Sequence, residues 1–228
     1  MLSSFSYHQL TQVTLQIHPN HVHAHPSYRT KMPADPYARL LNLMMPFHTR
    51  FRLTYATIQG TLKNPQIQAL PHRQLTTLLH QTLALAQHLD GHHQIEEAYI
   101  FPQLAVRMPQ FGKGHIEEHE TMHRSLVELR NYARTVERTL TGSQGRKAMN
   151  DGAGQALPSS SGDEEGEDGE RKRKEWPTAI FDSGRFQRLV DELGAALFPH
   201  LEAEETSLRP SNMKAAGFTP EELNSIPV

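Results

Sequence analysis

Residues 92–102 read His-His-Gln-Ile-Glu-Glu-Ala-Tyr-Ile-Phe-Pro, and the rest of the chain is organised around this stretch. His92 and Glu96 are four residues apart, so on a helix they lie one above the other on the same face and can reach one ion. A single pair of this kind is common on surface helices, where both residues are solvated. The pair indicates a metal site only if other parts of the chain support it.

That support comes from a second copy near the C-terminus. Residues 200–210 read His-Leu-Glu-Ala-Glu-Glu-Thr-Ser-Leu-Arg-Pro. The two copies agree at the histidine, at the glutamates four and five places on, and at the proline ten places on. Between them, His115, His119 and His123 follow one another at four-residue intervals on one predicted helix. Three predicted helices therefore each carry a face that suits a metal ion.

The composition favours a helical protein without a thiol or nucleic-acid site. The chain has 228 residues, only 7% of them aromatic, and alternating strand-like patterns are scarce, which predicts an all-α fold. A formal net charge of -2 leaves no electrostatic footprint for nucleic acid or an anionic membrane. There are 15 histidines and no cysteine, which excludes disulfides, thiolate zinc sites and cysteine nucleophiles. A site of imidazoles and carboxylates remains.

Targeting signals are weak. No apolar run reaches the roughly 20 residues that a membrane-spanning helix needs. The N-terminus lacks the charged start and continuous apolar core of a secretory signal. We therefore predict a cytoplasmic protein, with a mitochondrial location as the alternative because the first 34 residues contain no acidic residue.

The chain divides into three predicted parts. Residues 1–34 are rich in His and Pro without apolar periodicity, which predicts an irregular arm. Residues 35–210 contain four helical patterns that form one domain. Within it, residues 141–178 are dominated by Gly, Ser and charge, which predicts a disordered insertion before the last helix. Residues 211–228 form a tail that contributes one capping turn.

His48 supplies a histidine on the fourth helical face, at the edge of the buried stripe of the first predicted helix. With two His-x-x-x-Glu pairs and two histidines chosen from the third helix, the inventory is five imidazoles and two carboxylates. Two carboxylates can bridge two ions while imidazoles fill the ends, and helix bundles are a recurring place for such sites. The inventory therefore predicts a dinuclear centre inside the bundle.

Taken together, these motifs resemble the hemerythrin-like, or HHE cation-binding, family. The resemblance rests on His48, residues 92–102, Glu118-His119 with His123, and residues 200–205, and it covers about residues 35–210 apart from the insertion. It implies an up-down four-helix bundle with a non-haem centre of two iron ions, oxo- or hydroxo-bridged. In this centre, the resemblance implies that each terminal ligand is a histidine and each bridge a glutamate. The implied terminal ligands are His48, His92, His119, His123 and His200, and the implied bridges are Glu96 and Glu204.

Two points in this ligand set stay open. His115 with His119 fits the spacing on the third helix as well as His119 with His123 does. Glu97 and Glu205 could replace their neighbours as bridges, although the four-residue spacing fits better and we expect them to support the ligands. Oxygen-carrying members have an aspartate bridge five residues after its histidine and compact connections. This chain departs from both patterns, which places it in the broad HHE group.

Three functions follow. In the first, the protein binds dioxygen, nitric oxide or iron reversibly, for sensing, storage or scavenging. In the second, it is a di-iron, oxygen-dependent oxidase or oxygenase for a small organic substrate, assisted by Tyr55 or Tyr99. In the third, it is a metal-poor or zinc-bound helical interaction module. The sequence leaves open whether the protein is an enzyme and which protein, if any, it binds.

Overall fold

The structure is a computed structural model that describes residues 35–142, 146, 147, 150 and 174–227. The predicted arm of residues 1–34 and most of the predicted insertion lie outside the described residues. Within them the fold is built from helices and turns, so the prediction of an all-α fold is confirmed. None of the helices in this part of the chain is long and apolar enough to cross a bilayer.

Four long and three short α-helices have both of their ends within the described residues. The helices are α1 (Arg39–Leu62), α2 (His72–Ile95), α3 (Phe101–Ala105), α4 (Gly114–Thr141), α5 (Ser183–Ser207), α6 (Pro210–Ala215) and α7 (Pro220–Ser225). α1 and α4 each pack against both α2 and α5, so the four long helices enclose a common core. Short connections at residues 63–71 and 106–113 join successive long helices, as expected for antiparallel neighbours in a bundle.

The bundle has two apolar cores with a polar layer between them. Along α1, Met44 belongs to one core, Phe51 to the other, and the buried His48 lies between them. Along α5 the order is reversed: Leu197 belongs to the core of Phe51, the buried Glu204 follows, and Leu208, just after the helix, belongs to the core of Met44. Because each helix changes from apolar to polar and back at the same level, the histidines and glutamates meet inside the bundle.

The C-terminal tail contributes more than the single turn that we predicted. α6 and α7 bury Met213 and Leu223 in the same apolar core as Met44. Thr219 caps α7 in a reciprocal arrangement, in which its hydroxyl accepts from the Glu222 N–H and the Glu222 carboxylate accepts from the Thr219 N–H. The tail thus closes one end of the bundle beside the polar layer.

The expectation of disorder does not hold at the C-terminal end of the insertion. Trp176 is 1% exposed, and its indole N–H donates to the carbonyl of Leu70 at 2.7 Å. Its backbone N–H donates to the carbonyl of Gln68, also at 2.7 Å. Burying an indole with its N–H satisfied offsets the entropy of ordering the flanking residues. The chain is therefore docked on the bundle before α5 begins.

Candidate metal centre

Both sequence copies lead into a short helix that has a proline in its first turn, but the helix is interrupted differently in each. After α2, residues Glu96–Ile100 form a π-helical turn in which the Phe101 N–H donates to the carbonyl of Glu96. Pro102 has no N–H to continue the regular pattern, and it lies in the first turn of α3. In the second copy α5 ends at Ser207 and α6 starts at Pro210. Each proline therefore starts a new short helix directly after the glutamates.

Glu96 is fully buried between histidines from two helices. Its Oε1 lies 2.8 Å from Nε2 of His92, and its Oε2 lies 3.6 Å from Nε2 of His119. Neither oxygen has a hydrogen-bond partner among the described residues. The short contact with His92 is not a hydrogen bond, because the two groups do not point at each other. They converge on a common space instead.

Glu204 lies between two histidines in the same way, on the opposite side of the site from Glu96. It is also 0% exposed, and its Oε2 lies 3.3 Å from Nε2 of His48 and 3.6 Å from Nε2 of His200. Its two oxygens likewise lack a hydrogen-bond partner in the described part of the chain. Each carboxylate thus spans two ends of the site. We call them the His48 end, which includes His92, and the His200 end, which includes His119.

Outer carboxylates orient the rings at both ends. Nδ1 of His48 lies 2.9 Å from Glu205, whose same oxygen accepts from Arg52 at 2.6 Å. Nδ1 of His119 lies 2.8 Å from Glu97. A carboxylate on Nδ1 holds the proton there and leaves the Nε2 lone pair free toward the interior. Glu97 and Glu205 therefore lie behind the rings, where we expected supporting residues.

Glu118 serves two histidines at once. Its Oε2 accepts from Nδ1 of His200 at 2.8 Å and from Nδ1 of His115 at 2.9 Å. These hydrogen bonds, His200 first, lower the pKa of Glu118 to about 2. Nε2 of His115 lies 3.4 Å from the hydroxyl of Ser207. Both ring nitrogens of His115 thus have a polar neighbour.

Burial favours the neutral, metal-binding form of three histidines of the site, His92, His93 and His119. Burial lowers the pKa of His92 to about 4 and that of His119 to about 3. Burial and the neighbouring His119 lower the pKa of His93 further. Phe47 stacks on His92 and Phe101 on His119, with ring centroids 5.2 Å apart in both pairs. The apolar rings add to the desolvation that keeps these histidines uncharged.

The two inner carboxyls are shifted in opposite directions. Burial and the charge of Glu204 raise the pKa of Glu96 well above its usual value. Burial acts on Glu204 in the same sense, but the contact with His48 and the nearby His200 and His92 together outweigh it and lower the pKa of Glu204. Burial therefore favours the neutral form of Glu96, while the neighbouring histidines favour the charged form of Glu204.

The structure brings most of the sequence-predicted residues together. His48, His92, Glu96 and Glu204 each place one ligand atom within 4.8 Å of the others. His119 and His200 do the same in a second cluster, whose third member is His93. A third cluster combines His115, Glu118 and His200.

His123 is not brought to this centre. Its side chain is 59% exposed, and its Nδ1 lies 3.2 Å from a carboxylate oxygen of Asp90. Each step of four residues along a helix rotates by about 40° and rises by about 6 Å, so three histidines at this spacing do not share one centre. α4 turns His115 and His119 inward, with 3% and 2% exposure.

Sequence reasoning missed His93 and the role of Glu118. Both adjoin predicted ligands, but adjacent helical residues point about 100° apart, so the spacing rule assigned His93 no role. Only a helix packed on two sides buries two successive histidines. Glu118 faces two rings from different helices, which no local pattern reveals.

Two openings adjoin the centre. An apolar cavity of about 580 Å³ lies between α1 and α2 and is lined in part by Phe47, Gly91, His92 and Glu96. A polar cleft of about 280 Å³ lies on the other side, and its lining residues are Asp90, His93, Gln94, Glu97, His119, Glu120 and His123. Small molecules or ions can therefore approach the buried histidines from two directions.

Fold and site define a class: an all-helical bundle protein whose buried imidazoles and paired carboxylates suit metal cations. Comparison with protein families gives the same answer. The model of the hemerythrin HHE cation binding domain matches residues 39–211, most of the chain, and the protein belongs to this family. Searches of curated proteins and of solved structures gave no significant match.

Proposed function

We propose that the chain holds two iron ions in the polar layer of the bundle and reversibly binds dioxygen, nitric oxide or iron itself, in sensing, storage or scavenging. One observation carries this proposal. The four carboxylate oxygens of Glu96 and Glu204 are fully buried and have no hydrogen-bond partner in the described residues. Isolated buried carboxylates are strongly disfavoured, so a cation is the expected compensation.

The atoms around these oxygens fit metal ions better than they fit one another. Nε2 of His48, His92 and His93 is also buried without a hydrogen-bond partner in the part of the chain described. Imidazole nitrogens and carboxylate oxygens that lack hydrogen bonds and lie around one space form a set of ligands that suits both iron and zinc. Outer carboxylates behind the rings are the usual support of such ligands.

Two ions fit the site better than one. Glu96 lies between His92 and His119, which belong to different ends of the site, and Glu204 lies between His48 and His200 in the same way. A carboxylate that spans two ends can serve one ion at each. Two divalent ions also more than balance the two inner negative charges.

The donor set favours reversible chemistry. Imidazole is neutral, so a centre with more imidazoles than carboxylates is relatively electron-poor. When bound, a pair of iron ions supplies a redox-active centre at which a diatomic molecule can be held. Phe47 and Phe101 stack on His92 and His119, and Glu97, Glu118 and Glu205 fix the rings from behind.

Metal analysis together with visible spectroscopy tests this proposal. We expect two irons per chain and visible bands that bleach with dithionite and return in air. One zinc per chain with no visible band, or substoichiometric metal, would refute the iron centre and favour a helical interaction module. Recovery of two irons with bands that bleach irreversibly would keep the centre but refute reversible binding.

A second candidate function, oxidation of a small organic molecule, is favoured by the apolar cavity beside His92 and Glu96. Neither tyrosine of our hypothesis is an evident participant, because Tyr99 is 56% exposed and the Tyr55 hydroxyl donates to the Val190 carbonyl at 3.1 Å. A Cβ added at Gly91 meets nothing within 4 Å, so Gly91→Phe can fill this cavity. Oxygen consumption that depends on an added apolar substrate and is abolished by Gly91→Phe, at unchanged iron content, would support an oxidase.

A further inference from the structure

His93 is a buried histidine to which the sequence pattern assigns no role. It is 5% exposed, and its Nε2 has no hydrogen-bond partner among the described residues. Burying an imidazole nitrogen without a partner costs free energy unless something else binds it. The position of this nitrogen therefore needs an explanation that packing does not provide.

The surroundings of His93 consist of the histidines of the His200 end. Its ring stacks on His119 with centroids 3.8 Å apart and planes at 14°, and it meets His200 edge-on at 5.8 Å. One ligand atom from each of the three lies within 4.8 Å of the others. The three imidazoles come from α2, α4 and α5, so three helices each bring one ligand atom to the same small region.

His115 is the competing third imidazole at this end, and its contacts differ. Its Nδ1 donates to Glu118 and its Nε2 lies 3.4 Å from the Ser207 hydroxyl. Glu118 in turn accepts from Nδ1 of His200. His115 thus has a role without a metal, since it fixes the carboxylate that orients His200.

We propose that His93, and not His115 or His123, is the third imidazole ligand at the His200 end, and that His115 is a positioning residue that acts through Glu118. This inference rests on the proposed metal centre. His92 and His93, successive residues of α2, then serve opposite ends of the site. The donor set becomes five imidazoles and two carboxylates: His48, His92, His93, His119, His200, Glu96 and Glu204.

The polar cleft agrees with this assignment. His93 and His119 line it from inside, and the exposed His123 lies among its other lining residues with Asp90 and Glu120. The cleft therefore offers a hydrated ion a polar approach from solvent toward His93 and His119. His123 then offers a matched control, because it lines the same cleft but lies outside the clusters.

Three variants of the full chain test the proposal: His93→Gln, His115→Gln and His123→Gln. Each is loaded with ferrous iron without oxygen, and the readouts are irons bound per chain, the affinity of each iron, and the melting temperature of the metal-free protein. We expect His93→Gln to lose one iron or to bind it at least tenfold more weakly, with an unchanged or higher metal-free melting temperature. A merely structural histidine would lower that temperature instead.

We expect His115→Gln to keep two irons with a smaller loss of affinity and a lower metal-free melting temperature, and His123→Gln to match the parent in all readouts. Two tightly bound irons in His93→Gln would overturn the proposal, and loss of an iron in His115→Gln would overturn the positioning role. Absence of iron binding by the parent chain would instead refute the proposed function, so the two failures are distinguishable.

Discussion

Nε2 of His119 lies 3.1 Å from Nε2 of His200, and each ring already donates its Nδ1 proton to a carboxylate, Glu97 and Glu118 respectively. With Nδ1 protonated in both rings, the two Nε2 atoms would face each other with lone pairs, which is repulsive unless a cation or a proton lies between them. The outer carboxylates therefore prepare the inner nitrogens for a metal. This relationship links residues on three helices and explains the buried polar layer.

Glu96→Gln separates metal binding from folding. Because burial and the charge of Glu204 raise the pKa of Glu96 and so favour its neutral form, a neutral isostere removes little from the metal-free protein. We expect a metal-free melting temperature within about 2 °C of the parent, together with loss of at least one bound iron. The exposed Glu202 on α5 is the control, and Glu202→Gln should change neither property. A variant that retains two tight irons would contradict the bridging role of Glu96.

Glu118→Gln tests the carboxylate behind His200. Removing the acceptor of two Nδ1 protons frees both rings to rotate and to change tautomer, and losses behind metal ligands typically weaken binding by about 10- to 100-fold. We expect a loss in that range for iron, measured by competition with a chelator. Glu117→Gln, one residue away on the exposed face of α4, should have no effect. Equal affinities for both variants would refute the orienting role.

The metal-free protein should lose stability as the pH falls from about 6.5 to about 3. The pKa values of His92 and His119 are lowered by burial to about 4 and about 3, so in this window the unfolded chain binds protons that the folded chain does not. Stability then rises with pH across the window, and each unit of difference is worth about 1.4 kcal/mol. Urea unfolding at several pH values measures the slope. His92→Leu should flatten it, and an unchanged slope would contradict the assignment.

Gly194→Ala should destabilise the bundle by steric conflict. A Cβ at this position in α5 would lie 2.1 Å from the Tyr55 hydroxyl oxygen and 2.6 Å from its ring carbon Cζ. We expect a cost of about 3 kcal/mol or more in the free energy of unfolding, and much less in a Tyr55→Leu background because the conflict is pairwise. Gly60→Ala in α1 is the control, since its Cβ meets nothing within 4 Å and should stabilise by up to about 1 kcal/mol. Similar effects at both glycines would refute this explanation.

Trp176→Ala should destabilise the protein, although the residue belongs to the insertion that the sequence predicts to be disordered. Losing a buried indole typically costs about 3 to 5 kcal/mol. Since Trp176 is the single tryptophan of the chain, its emission in the parent protein should be blue-shifted and should move to longer wavelength on unfolding. Denaturant unfolding of both proteins, followed by circular dichroism, measures the difference. A cost below about 1 kcal/mol, or solvent-like emission in the native protein, would show that the segment is not docked.

The sequence by itself determined the helices and the pairs that helical geometry aligns. His92 with Glu96 and His200 with Glu204 could be predicted because a four-residue step returns to the same face of any helix, whatever the helix packs against. The apolar residues of α1 likewise identified most of its buried face, although Phe47, which we placed on that face, is half-exposed. These features depend on local geometry, which a single sequence contains.

Only the tertiary structure decided which histidines face inward together. The rotation of α4 about its axis, set by packing against α2 and α5, buries His115 and His119 and leaves His123 in solvent. Contacts from two sides bury His93 next to His92. Trp176 is buried against Leu70, which is far from it in sequence. Which side chains are buried here depends on how several helices pack together. The repeat of residues within one helix does not determine that packing.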